Sequence, residues 1–330
     1  MALSECYRIG MKKIRLLKEG NVVPDCPLLS LCIPTNGVLD WVSPVLKSIY
    51  DQDADEHKFE VVVTDNGNNI EFQQFMQKYA EKHFNLRYRK TRAQGFLNQI
   101  ECFREARGVF LKFVNHRMML KPGVIEELLH FIQENQDTKP IVYFLNGSLP
   151  LPDFSMYKNF DTFVGALSYY SSWSGGLGIW KYDFERINKN QHYNTLFPHT
   201  TILFQSYENR SYCIDNRIMM MPLPENHPKG SYNLFFAFAV EYPSIICELY
   251  RSGRIEIGTF LKIKRELLSF LASLYLDYFI LHRKCSYDLS GVKDSIRVYY
   301  SRGNLFWAVC HTLFFRIANK LRKLMFVSSN

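Results

Sequence analysis

The strongest constraint on the fold is a regular alternation of short apolar runs with segments of helical spacing. The apolar runs are rich in Val, Ile, Leu and Phe and end in polar turn residues, which is typical of buried strands. The segments between them repeat apolar residues every three or four positions, as Val42, Val45 and Ile49 do. The pattern predicts strands at 28–34, 59–63, 86–89, 109–114 and 141–145, and helices at 40–50, 70–83, 95–106 and 122–133.

Strands that alternate with helices in this way form a largely parallel sheet with helices on both faces. We therefore expect an α/β fold, and we expect ligands to bind at the carboxyl ends of its strands. Residues 146–172 are rich in Ser, Pro and aromatic residues and are predicted to be irregular. Helices are predicted again at 181–188 and after Pro198.

The last hundred residues differ from the rest in pattern and in charge. Three prolines within 221–233 interrupt the alternation, and helical segments follow at 242–253, 258–283, 291–301 and 304–325. Residues 229–330 carry 15 Lys and Arg against 7 Asp and Glu, so the net charge of +8 lies there. The sequence therefore predicts three parts, namely an N-terminal extension (1–27), an α/β domain (28–225) and a basic helical region (226–330).

Composition excludes several classes of protein. A hydrophobic content of 47% excludes a disordered chain. The 8 cysteines are scattered singly, so we expect reduced thiols in a cytoplasmic protein and no zinc site of the finger type. The longest nearly apolar stretch, 267–281, is shorter than the roughly 20 residues that a membrane span needs. Residues 1–27 lack the apolar core of a signal peptide.

Polar residues follow the first two predicted strands. Pro34-Thr35-Asn36 ends the first strand, and Asp65-Asn66-Gly67 ends the second. A carboxylate fixed at a strand end accepts hydrogen bonds from a base or a ribose, and backbone N–H groups in the two turns can cradle phosphate. A plain turn is the alternative, because Asp-Asn-Gly is also a common turn sequence.

Further motifs follow in a fixed order. They are Gly95-x-x-Asn98, Ala106-Arg107-Gly108, the strand FLKFV, Asn115-His116-Arg117 and the helix start Leu120-Lys121-Pro122-Gly123. Together with the two strand ends, this order resembles the family-2 inverting glycosyltransferases of the GT-A fold, above all those of bacterial capsular and O-antigen polysaccharide synthesis. The resemblance covers residues 28–130 and continues more weakly to 222.

The resemblance implies a Rossmann-like nucleotide-diphospho-sugar transferase with a UDP-sugar as donor. It implies that the base and the ribose are held by Pro34, Thr35, Asn36 and Asp65. It further implies that Asn66, Gly95 and Asn98 lie beside the nucleotide.

The chain departs from the family pattern at the metal site. Family members carry an acidic Asp-x-Asp cluster where this sequence has Asn115-His116-Arg117. Without a carboxylate, the position lacks the hard oxygen ligands that Mg²⁺ or Mn²⁺ prefers, so no cofactor is firmly implied. We expect Arg117, with Lys112 or His116, to neutralise the leaving diphosphate in place of a metal. The alternatives are metal binding through Asn115 and His116, and a degenerate site with a solvated Arg117.

The acceptor side of the predicted cleft has two candidate elements. Trp173, Gly175 and Gly176 resemble the small-residue loop that packs against donor sugar and acceptor in this fold. Where the family has a catalytic Asp at the start of the next helix, this chain has Phe-Pro-His-Thr-Thr, so His199 is the predicted base for the acceptor hydroxyl. Asp153 and Asp215 are the fallback bases, and a purely structural His199 is the alternative.

The basic helices predict an anionic partner. Apolar and aromatic residues interleave with Lys and Arg in 304–325, which suits a membrane surface better than nucleic acid. We expect a lipid-diphosphate-linked oligosaccharide as acceptor, at the inner face of the bacterial plasma membrane. Two other hypotheses stay open. One is a catalytically silent scaffold that binds nucleotide-sugar or glycan, and the other is a membrane adaptor that binds no nucleotide.

Overall fold

A computed structural model describes residues 26–189, 192–206, 210–224 and 230–327. Its strands are β1 (Leu29–Thr35), β2 (Phe59–Asp65), β3 (Leu86–Lys90), β4 (Phe110–Phe113), β5 (Met118–Leu120), β6 (Ile141–Phe144), β7 (Phe154–Tyr157), β8 (Gly178–Trp180), β9 (Tyr212–Asp215) and β10 (Met220–Pro222). Its helices in the first two-thirds are α1 (Leu39–Tyr50), α2 (Ile70–Lys82), α3 (Asn98–Glu105), α4 (Val124–Glu134), α5 (Phe160–Leu167), α6 (Lys181–Asn188) and α7 (Pro198–Gln205).

The remaining helices are α8 (Leu234–Phe236), α9 (Tyr242–Arg251), α10 (Ile257–Tyr275), α11 (Val292–Tyr299) and α12 (Arg302–Val327). A π-helical turn, Ala237–Glu241, joins α8 to α9, and a second, Leu276–Ile280, extends α10. These bounds match the four helical segments predicted for the C-terminal region. None of the described helices has both the length and the apolar character needed to cross a bilayer.

The central sheet has the strand order β3-β2-β1-β4-β8. The first four strands are parallel, and β8 is antiparallel to β4. Helices α1, α2 and α4 cover the face that carries Leu31, whereas α3 covers the face that carries Cys32. Burial on both faces explains why the strand sequences are continuously apolar. The predicted α/β fold with a mostly parallel sheet and a helical C-terminal region is therefore confirmed.

Two smaller sheets extend the central one. β6 pairs in parallel with β9, and β7 pairs antiparallel on the other side of β9. β5 and β10 form an antiparallel ribbon beside the carboxyl end of the sheet. The predicted fifth strand therefore exists as β6, but it belongs to the β6-β9-β7 sheet.

The prediction that residues 146–172 are irregular is wrong. This segment contains β7 and α5. Strand β7 lies at a sheet edge and alternates exposed with half-buried residues, so it lacks a continuous apolar run. Helix α5 is capped at its N-terminus by Asn159, whose side chain accepts a hydrogen bond from the Thr162 N–H at 2.9 Å.

The C-terminal helices share a core with the α/β part. Phe163 and Leu203 belong to the same buried cluster as Phe235, Leu267 and Ile296. Polar contacts reinforce this packing, since Tyr242 donates its hydroxyl proton to the Ser168 carbonyl and Lys262 donates to the Gly165 carbonyl. The predicted domain limits at 27/28 and 225/226 stay a prediction.

Candidate active site

A cleft lies at the carboxyl ends of β1 and β4, as expected for a parallel sheet. It consists of two adjoining cavities of about 860 Å³ and about 530 Å³. Most residues predicted for the site line these cavities. The larger cavity brings together Pro34, Thr35, Asn36, Asn66, Gly95, Asn98, Asn115 and His116. The smaller cavity is lined by Arg117, Trp173 and His199, and it shares Asn115 and His116 with the first.

Asn98 sets the spacing of the strand ends. Its side-chain amide donates to the carbonyls of Thr35 at 3.1 Å and Thr64 at 2.8 Å, and its oxygen accepts from the Thr91 hydroxyl at 2.8 Å. Asn66 fixes the next turn in the same manner, because its amide donates to the carbonyls of Ala93 and Gly95. Both asparagines therefore shape the floor of the larger cavity.

Asp65 lies behind this floor and lines neither cavity. Its buried carboxylate accepts hydrogen bonds from the Gly67 N–H at 2.7 Å, the Tyr88 hydroxyl at 3.0 Å and Lys90 at 3.3 Å. A Cβ atom at Gly67 would lie 1.8 Å from the Asn36 carbonyl oxygen, so the two strand-end turns touch backbone to backbone. In this structure Asp65 holds the turn together, and its predicted contact with base or ribose has no support from the geometry.

The Asn115-His116-Arg117 turn packs around the indole of Trp41. The Arg117 guanidinium carbon lies 3.9 Å from the centre of the indole ring, a cation–π distance. The His116 ring lies 5.0 Å from the same indole, centre to centre. The side-chain oxygen of Asn115 accepts a hydrogen bond from the Arg117 N–H at 3.0 Å. No sequence signal distinguishes Trp41 from the other apolar residues of α1, so its role was not predicted.

His116 is a neutral imidazole on the wall of both cavities. Burial, reinforced by the charge of Arg117, lowers the pKa of His116 to about 3. Its Nδ1 lies 2.9 Å from the Thr35 hydroxyl, which also accepts a hydrogen bond from the Gly37 N–H. The hydroxyl has one proton and two lone pairs, so it can pair with either neutral tautomer of the ring.

The cavity walls do not fit a hard divalent cation. Among the described residues that line the two cavities there is no Asp or Glu. A group of three His, Cys, Asp or Glu side chains suited to a metal ion is also absent from the described ranges. The Asn115 oxygen is engaged with its own turn, and Arg117 adds a positive charge beside it. The residues at this position therefore do not supply the ligand set of a hard divalent cation.

His199 lies on the wall of the smaller cavity with both ring nitrogens engaged. Nε2 lies 2.7 Å from the Ser172 carbonyl, which only accepts, so Nε2 carries the proton. Nδ1 lies 3.2 Å from the side-chain oxygen of Gln99. Burial lowers the pKa of His199 to about 4, so the ring is neutral. Because both ring nitrogens face protein atoms, neither is directed at an acceptor hydroxyl, and the geometry gives no support to His199 as the base.

The fallback bases lie elsewhere. Asp153 is exposed and Asp215 is fully buried, and neither lines a cavity. The Asp215 carboxylate is paired with Arg217 through hydrogen bonds of 3.0 and 2.6 Å. The structure therefore brings neither carboxylate to the cleft.

A turn at Trp173–Gly176 forms the floor of the smaller cavity and is fastened from below. Lys112, buried in β4, donates to the Gly175 carbonyl at 2.6 Å and to the Phe113 carbonyl at 3.0 Å. The Tyr143 hydroxyl lies 2.5 Å from the Trp173 carbonyl oxygen. Lys112 thus lines neither cavity, and it lies under the turn instead of at the predicted diphosphate position.

Both glycines of this turn are required by close packing. A Cβ atom at Gly175 would lie 2.6 Å from the Trp173 indole, and one at Gly176 would lie 2.2 Å from the Tyr143 ring. The turn therefore sits directly against aromatic rings. Trp173 lines the smaller cavity as predicted, whereas Gly175 and Gly176 lie behind the wall.

Aromatic residues close the cleft from the C-terminal side. Tyr232 lines both cavities, and Tyr287 lines the smaller one. The Tyr232 ring packs edge-on against Phe96 at 5.7 Å and against Tyr287 at 5.2 Å. These residues were not predicted, because only the tertiary fold brings the C-terminal region against the turn Gly95–Leu97 that precedes α3.

Comparison with known proteins places this architecture in a family. Residues 30–220 match the family model described as Glycosyl transferase family 2. The structure resembles that of S. aureus TarS 1–349 in complex with UDP-GlcNAc, with a TM-score of 0.56, 18% identity, and coverage of 85% of this chain and 81% of that one. The complex of TarS 1–349 with UDP gives a TM-score of 0.54, 19% identity, and coverage of 85% and 80%.

No curated protein matches the sequence significantly. The family match nevertheless covers more than half of the chain, and it includes β1, β2 and β4, whose ends form the cleft. The fold, with its mostly parallel sheet, its surrounding helices and its helical C-terminal region, agrees with that match. The chain belongs to Glycosyl transferase family 2, and it is a glycosyltransferase of the GT-A fold.

Proposed function

We propose that this protein transfers a sugar from a UDP-sugar to a saccharide acceptor with inversion at the anomeric carbon, without a metal ion. The observation that carries the proposal is the cluster of Trp41, His116 and Arg117 at the position of the family's acidic metal motif. In it, a guanidinium and a neutral imidazole replace the carboxylates.

The donor nucleotide is assigned to the larger cavity. Its walls contain the two strand-end turns, and most residues implied by the family resemblance lie around it. TarS, which has the same fold, was crystallised with UDP and with UDP-GlcNAc, which supports a uridine nucleotide here. Asp65 acts on the nucleotide indirectly, through the turn that it fixes.

The leaving UDP is stabilised by Arg117 and His116. A guanidinium binds phosphate oxygens in a bidentate manner and keeps its charge at any working pH. The Trp41 indole holds that guanidinium at the cavity wall. With its proton on Nε2, His116 adds an N–H donor without adding charge. Such fixed donors stabilise the charge that develops as the bond to the sugar breaks.

The acceptor is assigned to the smaller cavity. Its walls include Trp173, Phe96, Tyr232 and Tyr287, whose rings can stack on sugar rings. We propose a lipid-diphosphate-linked oligosaccharide as acceptor, in capsule or O-antigen synthesis at the inner face of a bacterial plasma membrane. The excess positive charge of residues 229–330 supports this place of action, because both the lipid carrier and the membrane surface are anionic.

A second candidate function has its own observation. No carboxylate among the described residues lines the cavities, and both ring nitrogens of His199 face protein atoms. A protein without a base would bind the nucleotide-sugar or a glycan and serve as a scaffold. Consumption of a UDP-sugar in the presence of a glycan acceptor excludes this candidate.

The test is calorimetric binding of UDP, GDP, CMP and dTDP, each with Mn²⁺ and with EDTA. Of these four nucleotides, we expect only UDP to bind, with the same affinity in both conditions. Binding that requires Mn²⁺ would contradict the proposal.

The variant Arg117→Ala is expected to have a lower kcat/KM. The decrease should correspond to a loss of about 2–4 kcal/mol of transition-state stabilisation, the scale for losing one such donor. Arg104→Ala, which removes an exposed guanidinium on α3 away from the cleft, is the control.

A further inference from the structure

Helix α12 presents a continuous apolar face to the outside of the molecule. Residues Leu305, Val309, Thr312 and Arg316 recur at the spacing of one helix face and are half-buried or buried. The rest of the circumference carries exposed apolar side chains, with Trp307 and Phe314 opposite the packed face. They are Phe306, Trp307, Leu313, Phe314, Phe315 and Ile317. We call these six residues the outer face of α12.

The rotation of the helix is fixed by an ion pair. Arg316 donates two hydrogen bonds to the Asp277 carboxylate, at 2.5 and 3.1 Å. This pairing lowers the pKa of Asp277 and holds Arg316 on the packed side. The outer face therefore cannot turn inward without breaking a bidentate ion pair. Ile280 and Leu281, which follow Asp277 in the chain, are also exposed.

Such a surface indicates a partner. Isolated exposed apolar residues are ordinary, but a contiguous patch of large rings is typical of an interaction site. Trp307 is 72% exposed, Phe314 70% and Phe306 61%. Aromatic and apolar side chains on one side of a helix that also carries Lys and Arg are the features of helices that lie in a membrane interface.

The surrounding charge identifies the partner. Residues 280–323 contain nine Lys and Arg but only two Asp and no Glu. Lys320 and Arg322 are exposed near the end of the outer face. A second copy of this chain would bring like charges together, whereas an anionic lipid surface neutralises them.

We propose that the outer face of α12 inserts into the headgroup region of an anionic bilayer, with the neighbouring Lys and Arg on the lipid phosphates. The placement of the acceptor at a membrane rests on the proposed function. The insertion itself does not, since it needs neither nucleotide nor acceptor.

The test uses the full chain and two kinds of vesicle, phosphatidylcholine alone and phosphatidylcholine with phosphatidylglycerol. We expect sedimentation with the anionic vesicles, together with a blue shift of tryptophan emission that Trp307→Phe abolishes without abolishing binding. The double variant Trp307→Ser/Phe314→Ser should weaken vesicle binding about tenfold or more, because binding scales with the apolar area buried.

The matched control is Ile70→Ser/Phe84→Ser, which removes two apolar side chains of similar exposure, 68% and 58%, far along the chain from α12. It should leave vesicle binding unchanged. UDP binding should be unchanged in both double variants. Loss of UDP binding would therefore contradict the proposed donor site, whereas loss of vesicle binding concerns only the outer face of α12.

Two results would overturn the proposal. One is equal binding by the two double variants. The other is that the wild-type chain does not bind anionic vesicles. In that case, a dimer in light scattering that Trp307→Ser/Phe314→Ser converts to a monomer would assign the face to a second copy of the chain.

Discussion

Buried polar side chains define the shape of the cleft at the scale of single residues. Asn98 ties the ends of two strands, and Tyr143 with Lys112 fastens the turn below the smaller cavity. Each of these groups is buried, so its hydrogen bonds within the protein replace those that it would make to water. A buried polar group without a partner would lower the free energy of unfolding. Lys112 is the extreme case, because it carries an amine into the interior.

Lys112 should make stability depend on pH. Burial lowers the pKa of Lys112 to about 7, partly offset by the negative charge of Asp215. Between pH 7 and about 10 the unfolded chain binds this proton and the folded chain does not, so unfolding becomes less favourable as the pH rises. The free energy of unfolding of the wild type should therefore rise by about 1 kcal/mol per pH unit relative to Lys112→Met.

The measurement is urea unfolding of both proteins at several pH values across this range. Below pH 7 the difference between wild type and variant should be constant, because both states of the wild type then carry the proton. A difference that is independent of pH throughout would mean that the amine keeps its proton in the folded protein.

Asp65 and His199 show why a sequence motif predicts the position of a side chain better than its chemical role. Asp65 and His199 were singled out as a ligand contact and a base, and both do lie at the ends of elements next to the cleft. Their partners, however, come from distant parts of the chain, namely Tyr88 for Asp65 and Ser172 for His199. A motif gives the type of a side chain and its element, whereas the use of its lone pairs depends on tertiary neighbours.

At the scale of elements, the 3₁₀ turn Ser174–Gly176 beside the smaller cavity depends on glycine. Gly176 lies directly against the ring of Tyr143. We expect Gly176→Ala to displace the turn and to lower the free energy of unfolding by about 1–3 kcal/mol, the usual cost of overpacking. Affinity for UDP should fall less than transfer to the acceptor, because the turn lines the acceptor cavity.

The control for this change is Gly258→Ala. Gly258 lies in the first turn of α10, with no heavy atom within 4 Å of an added Cβ. Alanine there should leave stability equal or raise it by up to about 1 kcal/mol, because glycine is the poorer helix former. Differential scanning calorimetry distinguishes the two variants, and equal effects would show that the contact with Tyr143 is not limiting.

Elements were predicted well where burial gives a continuous signal. Strands β1 and β2 are apolar throughout because helices cover both of their faces. Strand β7 and helix α5 were missed, since an edge strand buries only part of its surface and is short. Strands β5 and β10 have three residues each, too few for any periodicity to appear. What the sequence lacks is therefore the information that only neighbouring strands and helices supply.

On the scale of the whole molecule, the C-terminal helices complete the cleft and the core together. Tyr232 and Tyr287 supply walls of the cavities, and Phe235 and Leu267 enter the cluster that also contains Phe163 of α5. A hydrogen bond also joins the C-terminal helices to α5, since the Glu256 N–H donates to the Asp161 carboxylate at 2.8 Å. A core shared in this way favours a single cooperative transition.

We therefore expect Leu267→Ala to destabilise the α/β part as well as the helices. Leu267 is buried in the shared core, and the truncation should cost about 2–5 kcal/mol. The measurement is urea unfolding of a Trp307→Phe chain, in which every remaining tryptophan lies before residue 181, followed by fluorescence and by far-ultraviolet circular dichroism. Both signals should shift together in Leu267→Ala. Leu261→Ala, on the same helix but 53% exposed, should shift neither. A shift confined to the dichroism signal would instead mean that the chain contains two independent folding units, divided near residue 225. The tryptophans would then report on an α/β part that stays folded when the C-terminal helices unfold.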